Sequence, residues 1–299
     1  MLIRRVKKLV WRFKMMMNKK LVKSKKQSIG KKIIESNSTS KLSSIKSITN
    51  TIIHGDTLQT LKKFPSNKIN LIITSPSYML GKEYDSEKSL EEYKKYHADV
   101  IKECHRVLTE DGALYWNVAQ KPWNGEILPL GAIFYDILKK ENFYLKNWII
   151  WHFEGGLNAK KRLSGRYENI LWMVKDKENF VFNLDDIRIP AKWHMDKRCN
   201  PKGKNPTDFW TEVDYVWDIN RVVNVSKEKT AHPTQFPEKM IKRIIKSGSN
   251  KDDIVMDIFS GSGTVMKVAE EEGRKWIGID KELKYCKIAL KRVMSSTSK

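Results

Sequence analysis

Cysteine is scarce in this chain, with three residues in 299 and no closely spaced pair. Cys104, Cys199 and Cys286 lie too far apart to build a disulfide framework, and their spacing does not offer the paired ligands of a zinc site. The sequence also lacks any run of about 18 apolar residues, so no membrane-spanning helix is expected. These absences predict a protein of a reducing, cytoplasmic compartment that carries no metal.

Acidic residues are few relative to basic ones. The chain has 57 Lys and Arg against 35 Asp and Glu, which gives a formal net charge of +22. An excess of this size suits a polyanionic partner, because each neutralised phosphate releases counterions and adds affinity independent of sequence. The alternative is a compositional bias toward lysine, as in an AT-rich genome, with no binding role. The charge therefore favours a nucleic-acid partner without requiring one.

Positive charge is most concentrated in residues 1–49, which hold 15 Lys or Arg and a single acid, Glu35. The segment is rich in serine and has little to bury, so it is predicted to be a disordered basic extension. A nucleic-acid-binding arm, an organelle presequence, or a true start at Met15, Met16 or Met17 are the alternatives. Ordered structure is expected to begin near Asn50.

Apolar runs alternate with amphipathic stretches through residues 50–299. Runs such as INLIIT and ALYWNVA are typical of strands buried on both faces of a sheet. The stretch from Ser89 to Gly112 places Tyr93, Val100 and Cys104 on one face of a helix. The alternation predicts an α/β fold with a doubly wound, mostly parallel sheet. Only residues 175–229 lose this regularity, which is more typical of a functional loop than of a plain connector.

A glycine-rich loop, DIFSGSGT, follows the apolar strand that ends at Asp257. Gly261 and Gly263 allow a tight turn and a close approach of the backbone to a ligand. The loop lacks the lysine of a P-loop and the third glycine of a dinucleotide fingerprint. Asp280, at the end of the next strand, can accept ribose hydroxyls, and Asp257 suits the ammonium of a methionine moiety. The alternative is that both aspartates only cap turns.

A second turn, Ser75-Pro76-Ser77-Tyr78, follows the strand NLIIT. Open α/β sheets bind ligands at the carboxyl ends of their strands. A hydroxyl, a fixed carbonyl and an aromatic ring suit a planar base whose exocyclic amine attacks an electrophilic methyl group. In duplex DNA that base has to be flipped out, at a cost of a few kcal/mol. By itself, such a tetrapeptide is also common in surface turns.

Together these segments resemble the β-class DNA amino-methyltransferases. TSPSY at residues 74–78 is similar to their TSPPY catalytic motif, and DIFSGSGT resembles their cofactor loop. HGDTLQTL from His54 and HPTQFPEKM from His232 resemble two further elements. The catalytic motif precedes the cofactor motif, as in the β class. The resemblance covers about residues 50–294 and implies a Rossmann-like methyltransferase fold with S-adenosyl-L-methionine as its cofactor.

The resemblance also assigns residues and regions. The implied catalytic residues are Ser75, Pro76 and Tyr78. The implied cofactor-binding residues are Asp257, Phe259, Gly261, Gly263 and Asp280, with contributions from Asp56 and Thr234. A catalytic part over residues 50–150, an irregular target-recognition region at about 152–230 and a cofactor part over 231–299 would follow.

The first residue of the catalytic motif bears on which base is methylated. Enzymes with Ser in the position of Ser75 mostly resemble cytosine-N4 methyltransferases, whereas Asp or Asn goes with adenine N6. Site-specific N4 methylation of cytosine in double-stranded DNA is expected, with adenine N6 as the alternative. Ser77 replaces the family's second proline, so a weakly active nucleic-acid-binding relative is another alternative, and RNA or protein methylation a third. Cytosine C5 chemistry needs a cysteine thiolate, and none of the three cysteines follows a proline.

Basic residues among glycines and aromatics are expected to hold DNA phosphates. The candidates are Lys160, Lys161, Arg162, Arg166, Lys202 and Lys204. A solvated basic surface is the alternative, and Arg166 with Glu168 could instead form a buried pair beside a strand. A cognate restriction endonuclease is a further expected partner, and the chain is expected to be a monomer or a homodimer.

Overall fold

The structure is a computed structural model that describes residues 33–37, 42, 44–78, 89–156, 158–190, 200–211, 219 and 221–296. Its strands are β1 (Ile33–Glu35), β2 (Thr51–His54), β3 (Ile69–Thr74), β4 (Leu108–Ala119), β5 (Lys121–Trp123), β6 (Glu126–Leu128), β7 (Tyr144–His152), β8 (Tyr167–Val174), β9 (Phe209–Trp210), β10 (Ile254–Asp257) and β11 (Lys275–Asp280). Nine of them form one sheet in the order β1-β2-β11-β10-β3-β4-β8-β7-β9, and β5 pairs with β6. Within the large sheet, β8 is antiparallel to both neighbours and the other pairs are parallel.

The helices cover both faces of this sheet. They are α1 (Ile45–Ile48), α2 (Thr57–Leu61), α3 (Leu90–Val107), α4 (Leu130–Lys140), α5 (Glu238–Gly248), α6 (Thr264–Glu271) and α7 (Leu283–Ser296), with a short 3-10 helix at Leu184–Ile187. Helices α2, α3 and α4 pack on one face, and α5, α6 and α7 pack on the other. The predicted doubly wound, mostly parallel α/β sheet is therefore confirmed.

Strand β3 shows why the apolar runs form central strands. Ile72 belongs to the core on one face, while its neighbours Leu71 and Ile73 belong to the core on the other. Successive side chains point to opposite faces of a strand, so burial on both sides requires a nearly continuous apolar run. The strand therefore ends where the apolar run ends, next to Ser75.

Helix α3 begins at a capping box in which Ser89 and Glu92 bond each other's backbone. Its apolar face is buried, as the periodicity predicts, and this face includes Tyr93, Val100 and Cys104. The helix covers β3 and β4, so it fixes the wall beside the turn that follows β3.

The sheet begins earlier than the sequence suggested. Ile33–Glu35 forms β1, which pairs in parallel with β2, and Leu42 is fully buried. The expectation that order begins near Asn50 is wrong for these residues, because the edge of β2 supplies the hydrogen-bond partners that so short a strand cannot supply alone. A hydrogen bond of 2.9 Å between His54 Nδ1 and Glu35 Oε2 joins the two strands. Residues 1–32 lie outside the described part of the chain.

The irregular region contributes one short strand. Phe209–Trp210 forms β9 in parallel with β7, and a bridge joins Ile189 to Lys204. Residues 191–199, 212–218 and 220 of this region lie outside the described residues. Among the described helices, none is both long enough and apolar enough to cross a membrane.

Candidate active site

A cavity of about 310 Å³ lies at the carboxyl ends of β3 and β10. These strands are parallel neighbours, so the turns that follow them meet at one edge of the sheet. The cavity wall includes nine of the ten residues assigned by resemblance to catalysis and cofactor binding, namely Ser75, Pro76, Tyr78, Asp56, Thr234, Asp257, Phe259, Gly261 and Asp280. The two motifs thus belong to a single site.

Asp257 ends β10 and is almost fully buried, with 3% of its surface exposed. Its Oδ1 accepts hydrogen bonds from Thr74 Oγ1 at 2.8 Å and from the Phe259 backbone N–H at 3.1 Å. Burial raises the pKa of Asp257 to about 7, and the nearby Asp280 carboxylate contributes to the rise. A cationic group in the cavity would favour the ionised form of this aspartate.

Asp280 ends β11, on the other side of the glycine loop. Its Oδ2 accepts from the Gly261 N–H at 2.8 Å and its Oδ1 from the Glu282 N–H at 2.9 Å. Burial raises the pKa of Asp280 above its usual value despite these bonds. Each carboxylate oxygen has a second lone pair, so Asp280 can still accept hydroxyl groups of a ligand.

Gly263 is the exception among the predicted binding residues, since it does not line the cavity. Its φ is +79°, and a Cβ atom at this position would lie 2.6 Å from Ala289 Cα in α7. The glycine is needed because α7 packs directly against the start of α6. Gly263 thus shapes the loop from behind, whereas Gly261 faces the cavity.

Asp56 and Thr234 border the cavity from two other segments. Asp56 caps α2 by accepting from the Gln59 N–H at 2.9 Å, and it also accepts from Tyr96 Oη at 3.0 Å. The carbonyl of Thr234 is bonded to the His232 ring. A Cβ atom on Gly261 would lie 3.0 Å from Nε2 of that ring, so His232 leaves little room for a side chain at this point of the glycine loop.

The Ser75–Tyr78 turn carries a hydrogen-bond network. Ser75 Oγ and Tyr78 Oη are 2.6 Å apart. Asn117 Nδ2 donates to Tyr78 Oη at 2.9 Å and to Glu168 Oε2 at 2.6 Å, and Tyr78 Oη lies 3.2 Å from the same carboxylate oxygen. Burial and the Glu168 charge raise the pKa of Tyr78 well above its ordinary value. The phenol is therefore held neutral.

The remaining residue of the motif, Ser77, is fixed through its backbone. Tyr93 Oη, on α3, donates to the Ser77 carbonyl at 2.6 Å. This bond anchors the turn at the position where related motifs have a second proline.

The alternative of a buried pair between Arg166 and Glu168 is wrong. Glu168 lines the cavity and bonds Asn117, whereas Arg166 donates to Asn158 Oδ1 at 2.8 Å and to the Gly156 carbonyl at 3.4 Å. Two residues that are two positions apart in an extended segment point to the same side, but this spacing alone does not bring their charged groups into contact. The positions of Asn117 and Glu168 in this site were not predicted from the sequence, where the one signal was a polar residue within an apolar strand.

None of the six predicted DNA-binding residues is part of the cavity wall. Lys160, Lys161 and Arg162 are exposed on the loop between β7 and β8, whose ends carry the cavity residues Trp151 and Glu168. Two further candidates lie in the irregular region: Lys202 forms an ion pair with Asp185, and the Lys204 backbone pairs with Ile189.

One cation that the sequence argument missed, Arg221, does line the cavity. Its guanidinium lies over the Phe153 ring, 4.9 Å from the ring centroid.

The structure is a Rossmann-like α/β fold in which the glycine-rich loop and the Ser75–Tyr78 turn line one cavity. A family model described as DNA methylase, of the N6 and N4 type, matches residues 69–291. The chain therefore belongs to this family of S-adenosyl-L-methionine-dependent DNA methylases.

The sequence is similar to those of two named DNA methyltransferases. It is 38% identical to the Type II methyltransferase M.BglII of Bacillus subtilis over 251 residues, which covers 80% of this chain and 68% of that protein. It is 39% identical to the DNA adenine methyltransferase YhdJ of Escherichia coli over 252 residues, which covers 81% and 82% of the two proteins.

Solved structures show the same fold. The PvuII DNA methyltransferase, described as cytosine-N4-specific, superposes with a TM-score of 0.64 at 22% identity, covering 81% of this chain and 85% of that one. The Thermus thermophilus protein TTHA0409, solved with S-adenosyl-L-methionine, superposes with a TM-score of 0.60 at 24% identity, covering 83% of this chain and 94% of that one.

Proposed function

We propose that this protein is a site-specific DNA methyltransferase that transfers the methyl group of S-adenosyl-L-methionine to N4 of cytosine in double-stranded DNA. The observation that carries the proposal is the position of Ser75. Its hydroxyl faces the cavity that also contains Asp257 and Asp280, so an amine and a methyl donor can meet there.

The chemistry of the cavity fits the cofactor. Asp257 and Asp280 are buried carboxyl groups whose pKa values are raised by burial. A cationic ligand beside them would stabilise their ionised forms. In this proposal Asp257 binds the ammonium group, Asp280 binds the ribose hydroxyls, and the half-buried Phe259 ring gives the adenine an apolar face. Gly261 lets the backbone approach the ligand closely. When bound, the cofactor supplies an electrophilic methyl group.

The Ser75–Tyr78 turn would bind the target base. Ser75 Oγ and the carbonyl of Pro76 accept the two protons of the exocyclic amine, which directs the nitrogen lone pair at the methyl group. The Tyr78 ring packs against the base once it has left the duplex. The bond from Tyr93 to the Ser77 carbonyl keeps the turn in place, and this supports an active enzyme over a relative that only binds nucleic acid.

The choice of cytosine rests on Ser75, since an acidic or amide residue at this position would favour adenine. Adenine N6 is a second candidate, because YhdJ, 39% identical, is named an adenine methyltransferase. Both bases present an NH2 group on a planar ring, and a serine hydroxyl can accept a hydrogen bond from either.

The surroundings of the cavity suit a DNA duplex. The exposed cations of residues 160–162 would hold phosphates next to the flipped base, and residues of about 152–230 would read the sequence. M.BglII is named a Type II methyltransferase, which supports a role in restriction and modification with a cognate endonuclease.

The test is the modified nucleoside itself. DNA from a host that expresses the protein is digested and analysed by mass spectrometry, with the Tyr78→Ala protein as the matched control. N4-methylcytosine in the wild-type sample alone is the expected result. N6-methyladenine would replace the proposal by its second candidate, and DNA binding without any methylation would refute both.

A further inference from the structure

Asn117 and Glu168 lie beside the catalytic turn, although they belong to neither motif. Asn117 is near the end of β4, Glu168 is near the start of β8, and the antiparallel pairing of these strands sets Ala119 opposite Glu168. Asn117 is only 3% exposed. Hydrogen bonds in such a water-poor setting are stronger than in solution, and their directions are correspondingly well defined.

The orientation of the Asn117 amide follows from its neighbour. Its Nδ2 lies 2.6 Å from Glu168 Oε2, and an ionised carboxylate accepts hydrogen bonds but donates none. The same NH2 group donates to Tyr78 Oη at 2.9 Å. Tyr78 thus accepts a hydrogen bond from Asn117, and its own proton has to point elsewhere.

Glu168 is the strongest acceptor for that proton. Its Oε2 is 3.2 Å from Tyr78 Oη, closer than the Asn117 carbonyl at 3.4 Å, and a charged acceptor makes the stronger bond. With the phenol proton on this side, the Ser75 hydroxyl donates to Tyr78 over the 2.6 Å contact. The free lone pairs of Ser75 Oγ are then available to an amine in the cavity.

We propose that Glu168 is a positioning residue that sets the direction of the hydrogen bonds through Tyr78 and Ser75 and finally receives the proton of the target amine. As the N–CH3 bond forms, the electron pair of the broken S–CH3 bond stays on sulfur. The amine proton passes to Ser75 Oγ, the Ser75 proton to Tyr78 Oη and the Tyr78 proton to Glu168, which becomes a carboxylic acid. Both hydroxyl groups end neutral, in keeping with the raised pKa of Tyr78.

This inference rests on the proposed amino-methylation and holds for cytosine and adenine alike, since both present an NH2 group. Assaying the wild-type protein for both modified bases decides the proposed function separately. The variants are then compared on whichever base the wild-type protein methylates.

The first experiment is a single-turnover assay of Glu168→Gln with enzyme in excess over DNA. Glutamine keeps the shape of the side chain but cannot take up the proton. We expect the methyl-transfer rate to fall by about 100-fold, with unchanged dissociation constants for S-adenosyl-L-methionine and DNA. Glu178→Gln, beyond the far end of β8, is the matched control and should keep the wild-type rate.

Two further variants distinguish proton transfer through Ser75, Tyr78 and Glu168 from a nonspecific structural effect of the substitution. Adding Glu168→Gln to Tyr78→Phe should cost little beyond Tyr78→Phe alone, because both changes break one path. The exchange Asn117→Asp with Glu168→Gln keeps the charge and returns a carboxylate to Tyr78, so it should recover part of the rate. The proposal would be overturned if Glu168→Gln kept the wild-type rate, or if its slower rate came from weaker binding of cofactor or DNA. It would also be overturned if the losses multiplied in the double variant, or if the Asn117→Asp, Glu168→Gln exchange recovered none of the rate.

Discussion

Thr74 Oγ1 donates a hydrogen bond to Asp257 Oδ1 over 2.8 Å, although 183 positions separate the two residues. Thr74 is the last residue of β3, directly before the Ser75–Tyr78 turn, and Asp257 is the last residue of β10, directly before the glycine loop. The bond joins the side of the cavity proposed to bind the target amine to the side proposed to bind the cofactor. A change at Thr74 should therefore reach both.

Thr74→Val is expected to weaken cofactor binding by about tenfold, which corresponds to about 1.4 kcal/mol. The substitution keeps the shape of the side chain but removes a bond that lowers the Asp257 pKa, so the carboxylate becomes harder to ionise. Isothermal titration with S-adenosyl-L-methionine measures the effect.

Thr109→Val is the control for this substitution. Thr109 Oγ1 is buried and has no hydrogen-bond partner within the described part of the chain, so its removal should leave binding and stability unchanged or slightly improved. Equal losses in the two valine variants would show that the Thr74–Asp257 bond has no special role.

Cofactor affinity should depend on pH through Asp257, whose pKa is raised to about 7 by burial. Below that pH the aspartate is protonated in the free protein, and binding of an ammonium group has to expel the proton. Affinity is therefore expected to rise by about fivefold between about pH 6 and 7, below the range in which the ligand's own ammonium titrates. The same shift means that Asp257 stabilises the fold at low pH and that this contribution is lost as the pH rises toward 7.

Asp257→Asn provides the comparison for the pH series. This variant should bind the cofactor weakly, and the rise in affinity near pH 7 should be flattened. The part that remains belongs to Asp280, whose pKa is raised in the same direction. An undiminished rise in the asparagine variant would assign the titration to another group.

Tyr78→Ala should abolish methyl transfer while leaving cofactor binding intact. Tyr78 lies on the side of the cavity proposed to bind the amine, and its phenol oxygen forms hydrogen bonds with Ser75, Asn117 and Glu168. Transfer of tritiated methyl groups to unmethylated DNA is measured beside cofactor binding. Loss of cofactor binding would mean that the two sides of the cavity are assigned the wrong way round.

The sequence predicted the parts of the site that lie in consecutive residues. The turn at residues 75–78 and the loop after Asp257 each combine a strand end with residues of distinctive chemistry, so both could be located without a structure. Asn117 and Glu168 could not be located in this way, because their meeting depends on the register between β4 and β8. Register is set by long-range packing, which leaves no local signal.

The same limit applies to the fold. Central strands such as β3 were predicted because burial on both faces demands apolar residues along their whole length. Strand β1 was missed because its three residues stand in a lysine-rich segment, and its hydrogen bonds come from β2. Gly263 was assigned to the cofactor because the glycine spacing does not show which glycine faces a ligand and which faces a helix.

Gly263→Ala should destabilise the protein by about 3 kcal/mol or more. The positive φ costs an alanine about 1–2 kcal/mol, and the new methyl group would clash with the α7 backbone at Ala289. Gly125→Ala is the control, since its φ is +86° and the position is open. Urea unfolding should show only the backbone cost of about 1–2 kcal/mol for this variant. Similar losses of unfolding free energy in the two variants would contradict the proposed packing role of Gly263.

Replacing Lys160, Lys161 and Arg162 by alanine should weaken DNA binding and reduce its dependence on salt. All three are exposed on the loop whose ends border the cavity. The slope of log affinity against log salt should fall by about 0.9 for each phosphate contact that is lost. Cofactor binding without DNA should not change.

Lys251→Ala with Lys275→Ala serves as the control for this loop, because both lysines lie at the amino-terminal ends of β10 and β11, across the sheet from the cavity. If net charge alone attracted DNA, the control would lose salt dependence in proportion to the charge removed. If the β7–β8 loop binds the phosphates next to the flipped base, the control keeps the wild-type slope of log affinity against log salt and the loop variant does not. Fluorescence anisotropy over a salt series distinguishes these outcomes, and equal slopes per charge in both variants would contradict a specific role for residues 160–162.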